Sequence, residues 1–194
     1  MMPALIILSF LIGSIPTGLL IAKTKGIDLR KVGSGNIGAT NVLRAVSKEA
    51  ALLTLLGDIG KGAIPVAIAK TLAMDTFDTG IIGISAILGH NFSLFLKFKG
   101  GKGVATSIGV LLIFSPYVAL FTIMLWLLTA KWSRYSSLSA LVAFGLLPLS
   151  IYMLDYSKDK IIIAIAITVL IFIRHIANIK RLVQGTESKI GQKA

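Results

Sequence analysis

Long apolar runs separated by short polar loops dominate the chain. They occupy about residues 3–22, 50–73, 80–97, 104–114, 117–130, 138–154 and 160–179. A helix needs roughly 20 mostly apolar residues to cross a bilayer, with a working range of about 17–25. Five runs meet that length, and 104–114 and 117–130 fall short. Ser115-Pro116 separates the short pair, and proline interrupts helical hydrogen bonding. Two arrangements fit 104–130: two short crossings, or one re-entrant hairpin. We take seven spans, which makes the fold an all-α integral membrane protein with some short helices. Residues 1–194 form one domain without repeat or linker, and about 183–194 form a polar cytoplasmic tail. The first run lacks the basic flank and small-residue cleavage site of a signal peptide, so it reads as a retained span.

The loops set the orientation. Seven spans put the two ends on opposite sides. One side then collects Lys23, Lys25, Arg30, Lys31, Arg44 and Lys48, then Lys97, Lys99 and Lys102, then Lys131 and Arg134, then Arg174, Lys180, Arg181, Lys189 and Lys193. These are 16 of the 20 cations. The other side has only Lys158 and Lys160, beside Asp75, Asp78, Asp155 and Asp159. Lys61 and Lys70 fall inside the second span. Positive loops stay cytoplasmic, so the N-terminus is expected outside and the C-terminus inside. A hairpin at 104–130 would leave this orientation unchanged.

Composition agrees with a membrane protein: 55% of the 194 residues are hydrophobic, and mean hydropathy is +0.87. The formal charge of +12 suits an anionic lipid or substrate. Nucleic acid is not the expected partner, because the cations sit in short loops between spans. There is no cysteine, which excludes disulfides, thiolate metal sites and a cysteine nucleophile. His90 and His175 form no HExxH pattern, so no metal and no cofactor is expected.

Four polar segments fall on the inner face. GSGNIGATNVLR spans Gly33 to Arg44, GHNFSLFLKFKGGKG spans Gly89 to Gly103, RYSSLS spans Arg134 to Ser139, and RHIANIKRL spans Arg174 to Leu182. The first contains GxGxxG at Gly33, Gly35 and Gly38. It follows a membrane span and not a strand, so a dinucleotide fold is rejected. Glycines still let backbone N–H groups approach an anion, and a helix N-terminus adds positive potential. Ser34, Asn36, Thr40 and Asn41 add neutral donors, and Arg44 adds a guanidinium fork. KFKGGKG is not a Walker A loop, because Gly103 follows Lys102. Positive-inside flanking explains Lys97 and Lys99, but not Gly100, Gly101 and Gly103 around Lys102, which read as a backbone nest. His90 and Asn91, about two turns inside the third span, serve either substrate or helix packing. Asp58 and Lys61, at i and i+3, form a buried pair that is either structural or near substrate. Serines at 136, 137 and 139 either cap a helix or bind phosphate. His175 and Asn178 share one face near the inner end of the last span, where a histidine acts as base or as phosphate donor. An enzyme of lipid synthesis fits this clustering on one face better than a channel.

These motifs, with GDIGKG and YSSL, resemble the bacterial acyl-phosphate:glycerol-3-phosphate acyltransferases, from Gly13 to Glu187. The resemblance implies acyl transfer from acyl phosphate to the 1-hydroxyl of sn-glycerol 3-phosphate, giving lysophosphatidate and phosphate at the cytoplasmic face of the bacterial inner membrane. The HxxxxD motif of soluble-type glycerolipid acyltransferases is absent: Phe95 follows His90 by five, and Lys180 follows His175 by five. Acyl phosphate is already an activated mixed anhydride, so direct attack without a covalent enzyme intermediate is expected. Ser34, Arg44 and Lys102 are the expected phosphate and charge-stabilising groups. Asn36, Thr40, Asn41 and the motif glycines shape the pocket, and His175 and Asn178 orient glycerol 3-phosphate. Ser137 is the serine expected to bind phosphate, and Glu187 is expected to fix the tail. The base is either His175 or a substrate phosphate oxygen. Two alternatives fit the pattern less well. A small organic-phosphate transporter calls for midplane ligands and inverted repeats, neither of which is visible. A CDP-alcohol phosphotransferase calls for clustered aspartates, which are absent.

Overall fold

The computed structural model describes residues 1–192. Lys193, counted above on the inner side, and Ala194, the end of the expected tail, lie outside the described residues. Among the described residues the chain is helical without strands. Its helices are α1 Met2–Ser14, α2 Thr17–Lys23, α3 Ala39–Ala45, α4 Lys48–Thr71, α5 Thr76–Asn91, α6 Val104–Phe114, α7 Pro116–Ser133, α8 Ser136–Gly145, α9 Leu147–Leu154, α10 Lys158–Arg174 and α11 Ile176–Val183. Three stretches are long and apolar enough to cross a membrane: Met2–Lys23, Lys48–Thr71 and Thr76–Leu96. The α8/α9 and α10/α11 pairs, bent by 42° and 59°, bring the number to five if each is one span. The α6 helix has only 11 residues, and α7 has 18.

Four expected runs prove to be broken; among them, the sixth is bent by 42° between α8 and α9. Pro16 separates α1 from α2, and at the break the Ile15 carbonyl receives the Thr17 N–H at 3.1 Å and the Lys61 ammonium at 2.9 Å. The second charge of the pair is satisfied locally: Asp58 receives Lys61 at 2.8 Å and the Thr17 hydroxyl. The third run ends as helix at Asn91, not at 97. Beyond it the chain makes a 3-10 turn at Leu94–Leu96, and Lys97 and Phe98 take left-handed conformations. His90 and Asn91 therefore close α5 and do not lie two turns inside it. The last run kinks at His175.

Glycine sets the closest helix contacts, as is common where backbones pack inside a membrane. A Cβ on Gly62 would sit 2.1 Å from the Thr106 carbonyl oxygen, and one on Gly109 would sit 2.0 Å from that of Ile59, so α4 and α6 touch at backbone distance. Gly13 and Gly89 do the same between α1 and α5. The main core gathers Val66, Ile87, Leu111, Phe114, Phe144 and Ile167 from α4, α5, α6, α8 and α10. Large apolar side chains outside it, such as Leu56, Leu120, Ile162 and Phe172, are exposed, as expected for helices that face lipid.

At one end of the bundle the α6–α7 turn meets the α9–α10 loop. The Ser115 hydroxyl and Lys160 both donate to Asp155, and Lys70 at the end of α4 donates to the Ile113 carbonyl. At the other end lie the 24–38 loop, α3, the glycine–lysine loop and α11.

Candidate functional site

The Gly33–Gly38 loop owes its shape to Asn41, buried at the start of α3. Its amide nitrogen donates to the carbonyls of Leu29, Val32 and Asn36, and its oxygen receives the Ser34 N–H at 2.9 Å. Gly33 and Gly35 sit at φ 58° and 67°, which glycine adopts without strain. Asn41 thus organises the loop from within, while the Ser34 hydroxyl and Thr40 remain at its surface. The Thr40 hydroxyl lies 3.2 Å from that of Ser136 on α8, joining two motifs 96 residues apart.

These residues border one cavity of about 460 Å³. Ser34, Asn36, Gly38, Thr40, Asn41 and Arg44 line it from the first motif. Lys102, Gly103, Ser137, His175, Asn178 and Glu187 line it from the others, and Asp58 and His90 reach its wall. Beyond this polar mouth the lining turns apolar: Leu52, Leu55 and Ile59 on α4, Ile108 on α6, and Ile123, Trp126 and Leu127 on α7.

Several expected residues stand elsewhere. Gly33, Gly35, Gly100, Gly101, Lys61, Asn91 and Ser139 are not part of the lining. The Ser139 hydroxyl bonds back to the Tyr135 carbonyl at 2.8 Å, a turn-closing bond within its own helix. The Ser137 hydroxyl is committed to Glu187 at 2.6 Å. Successive helical residues diverge by about 100°, so Ser136 is the hydroxyl that meets Thr40. The expected nest at Gly100 and Gly101 is also corrected. Their N–H groups are spent on the Asn91 and His90 carbonyls, at 3.2 and 2.9 Å. What the glycines provide there is room, since a Cβ on Gly101 would fall 2.1 Å from His90 Nε2.

Glu187 ties the tail into the site. It receives Ser137 and Asn178 on one oxygen, each at 2.6 Å, and Arg181 on the other at 2.7 Å. Burial pushes this carboxyl up, but the three hydrogen bonds outweigh it and hold Glu187 below the usual carboxylate range. The following residues strap across the mouth: Arg44 Nη2 donates to the Ser188 and Lys189 carbonyls, at 3.0 and 3.1 Å. One arm of the expected Arg44 fork is thereby used, while its Nε is buried without a partner.

The remaining groups are poised for ligands. Burial, reinforced by Arg181, Arg174 and Arg44 and opposed by Glu187, lowers the Lys102 ammonium to about 8. His175 Nδ1 lies 2.8 Å from the Ile171 carbonyl. A carbonyl only accepts, so Nδ1 carries the proton and Nε2 holds the lone pair of the neutral ring. Asn178 Oδ1 is buried and unpaired, an acceptor suited to a hydroxyl. Among the described residues, no three His, Asp or Glu side chains gather as a metal site.

Comparison with known proteins gives a consistent result. The family model described as glycerol-3-phosphate acyltransferase matches residues 3–185. A glycerol-3-phosphate acyltransferase of Sinorhizobium fredii is 50% identical over 186 residues, covering 95% of this chain and 90% of that one. One from Bordetella pertussis is 48% identical over 199 residues, covering 98% and 92%. The crystal structure of PlsY, an integral membrane glycerol 3-phosphate acyltransferase, in its glycerol 3-phosphate form, superimposes with a TM-score of 0.93 at 44% identity, covering 98% and 96%. Its lysophosphatidic acid form gives 0.91 at 42% identity.

Proposed function

The chain belongs to the glycerol-3-phosphate acyltransferase family, and from that premise we propose that it moves a fatty acyl group from acyl phosphate to the 1-hydroxyl of sn-glycerol 3-phosphate. The observation that carries this reading is the two-part cavity, with cations and hydroxyls at the mouth and apolar walls from α4, α6 and α7 behind them. A water-soluble phosphate suits the first part and an acyl chain the second.

In the reaction the 1-hydroxyl oxygen attacks the acyl carbonyl carbon. The bond between that carbon and the phosphate oxygen breaks, and inorganic phosphate departs with the bonding electrons. The hydroxyl proton passes either to His175 Nε2 or to a phosphate oxygen of a substrate. Lys102, Arg44 and the Ser34 hydroxyl hold phosphate and stabilise the charge that develops at the carbonyl and leaving group. Asn178 Oδ1 accepts a glycerol hydroxyl, which orients the nucleophile. Ser137 and Glu187 brace Asn178, and Ser136 replaces Ser137 as the serine facing substrate. The reaction calls for no cofactor.

We read the helices as seven crossings of the bacterial inner membrane, with the cavity mouth on the cytoplasmic face. The α6–α7 turn supports two short crossings over a hairpin, because it packs with the α9–α10 loop at the end opposite Lys102. The glycerol 3-phosphate and lysophosphatidic acid forms of the solved relative favour a transferase over the transporter alternative. The test is conversion of palmitoyl phosphate and glycerol 3-phosphate to lysophosphatidate by purified protein; uptake of glycerol 3-phosphate into vesicles without product would overturn the reading.

A further inference from the structure

The short loop that carries Lys102 is tied on every side. Its Gly100 and Gly101 N–H groups reach the Asn91 and His90 carbonyls at the end of α5. Its carbonyls are taken by two arginines. Arg174 Nε donates to Gly101 at 3.0 Å, and its Nη2 donates to Gly100 at 3.2 Å. Arg30 Nη2, from the loop before the first motif, donates to Lys99 at 2.6 Å. The Arg174 guanidinium also lies over the Phe92 ring, 5.2 Å from its centroid, and the His90 ring lies where a Cβ on Gly101 would fall.

Three consecutive carbonyls, at residues 99, 100 and 101, are thus each capped by a guanidinium. Uncapped, they would present negative dipole ends beside a phosphate site. Arg174 also stands immediately before His175 at the end of α10. One side chain therefore connects the backbone of the Lys102 loop to the turn that carries the imidazole. A cation at a helix C-terminus is ordinary, but the donors of Arg174 go to a loop 73 and 74 residues away. The planar guanidinium meets the two carbonyls with two separate donors in a fixed geometry, which a freely rotating ammonium does not reproduce.

We propose that Arg174 is a positioning residue for the transfer reaction, holding Lys102 and His175 in register by bridging the Gly100 and Gly101 carbonyls, with Arg30 completing the clamp at Lys99. This rests on the acyltransferase reading above.

The test is steady-state kinetics of R174Q, R174K and R30Q with palmitoyl phosphate and glycerol 3-phosphate across pH 6.5–9.5, with a thermal melt of each purified variant. Lys102 is faced by Arg174, Arg181, Arg44, His175 and Glu187. R174Q removes one cation from this group, so the alkaline limb of kcat/KM moves to higher pH. The freed loop raises KM for glycerol 3-phosphate by about tenfold, the scale expected for misplacing a binding group by a fraction of an ångström. R174K restores the charge and hence the limb, but not KM, because one ammonium does not span both carbonyls as the fork does. R30Q, at an exposed side chain, raises KM by a smaller factor.

An R174Q enzyme with wild-type KM and an unmoved limb overturns the proposal. So does R174K restoring KM together with the limb, which would make Arg174 a charge and nothing more. If R174Q does not fold, R174K and R30Q decide, and wild-type KM in both overturns the clamp. Wild-type protein that forms no lysophosphatidate overturns the acyl-phosphate reading and the clamp with it. Active wild type with indistinguishable variants overturns the clamp alone.

Discussion

At the scale of single residues, the site works through groups whose protonation is set by their surroundings. Lys102 is lowered to about 8, chiefly by burial. It is charged below that pH and neutral above it, and only the charged form attracts phosphate. We therefore expect kcat/KM for glycerol 3-phosphate to fall as pH rises through about 8, and K102R to abolish that limb, since a guanidinium stays protonated throughout. A limb unchanged in K102R would assign it to another group. His175 offers Nε2 to the cavity because Nδ1 is held by Ile171. If His175 is the base, H175Q lowers kcat by about a hundredfold or more, within the usual range for general-base catalysis. Retained kcat with a raised KM would leave it as a binder and give the proton to a substrate phosphate. Asp58 and Lys61, almost fully buried at 2.8 Å, make a different kind of pair. Removing one partner strands a buried charge at a cost of about 3–5 kcal/mol. K61M should lower the unfolding temperature in detergent sharply, and D58N/K61M should recover much of the loss; equal loss in both would contradict the pairing argument.

At the scale of elements, backbone contacts between helices fix the cavity. Gly62 and Gly109 let α4 and α6 touch, and these helices supply two of its walls. G109A would force a Cβ against the Ile59 carbonyl, with 2.0 Å available. We expect a loss of about 1–3 kcal/mol, seen as a lower melting temperature, with activity reduced as the walls shift. Full stability in G109A would mean that α6 moves freely. The runs at 104–114 and 117–130 match α6 and α7 closely, because Ser115-Pro116 is a local signal that sterics enforce. The break at Pro16 was less legible, since Lys61, which donates to the Ile15 carbonyl beside it, lies 46 residues from Ile15. The early end of α5 was hidden for a similar reason. Leu94, Phe95 and Leu96 continue the apolar run, and hydropathy does not distinguish a helix from an exposed apolar turn.

At the scale of the whole molecule, four inner-face motifs were expected to converge, and residues of all four line one cavity, where Arg44 and the loop that carries Lys102 depend on partners distant in sequence. Legible beforehand were polar residues that the structure places around the cavity, such as Ser34, Arg44, Lys102 and His175. Choosing Ser136 over Ser137 required knowing how α8 is rotated against α3. The contacts of Arg30 and Arg174 with the glycine–lysine loop were hidden because a cation in a loop or helix end flanking a span is already accounted for by charge asymmetry. The tail strap, which places the Ser188 and Lys189 carbonyls on Arg44, has no local sequence signal. The orientation can be tested directly, because the chain has no cysteine. Single cysteines at Lys99 and Lys180 should react with an impermeant thiol reagent only from the cytoplasmic side, and those at Asp78 and Lys158 only from outside; the reverse pattern would invert the topology. The most direct test of the account is phosphate release by detergent-purified protein given palmitoyl phosphate in EDTA, with and without glycerol 3-phosphate. Release is expected to depend on glycerol 3-phosphate and to be matched mole for mole by lysophosphatidate. Folded protein that releases no phosphate, or releases it without forming lysophosphatidate, would contradict it.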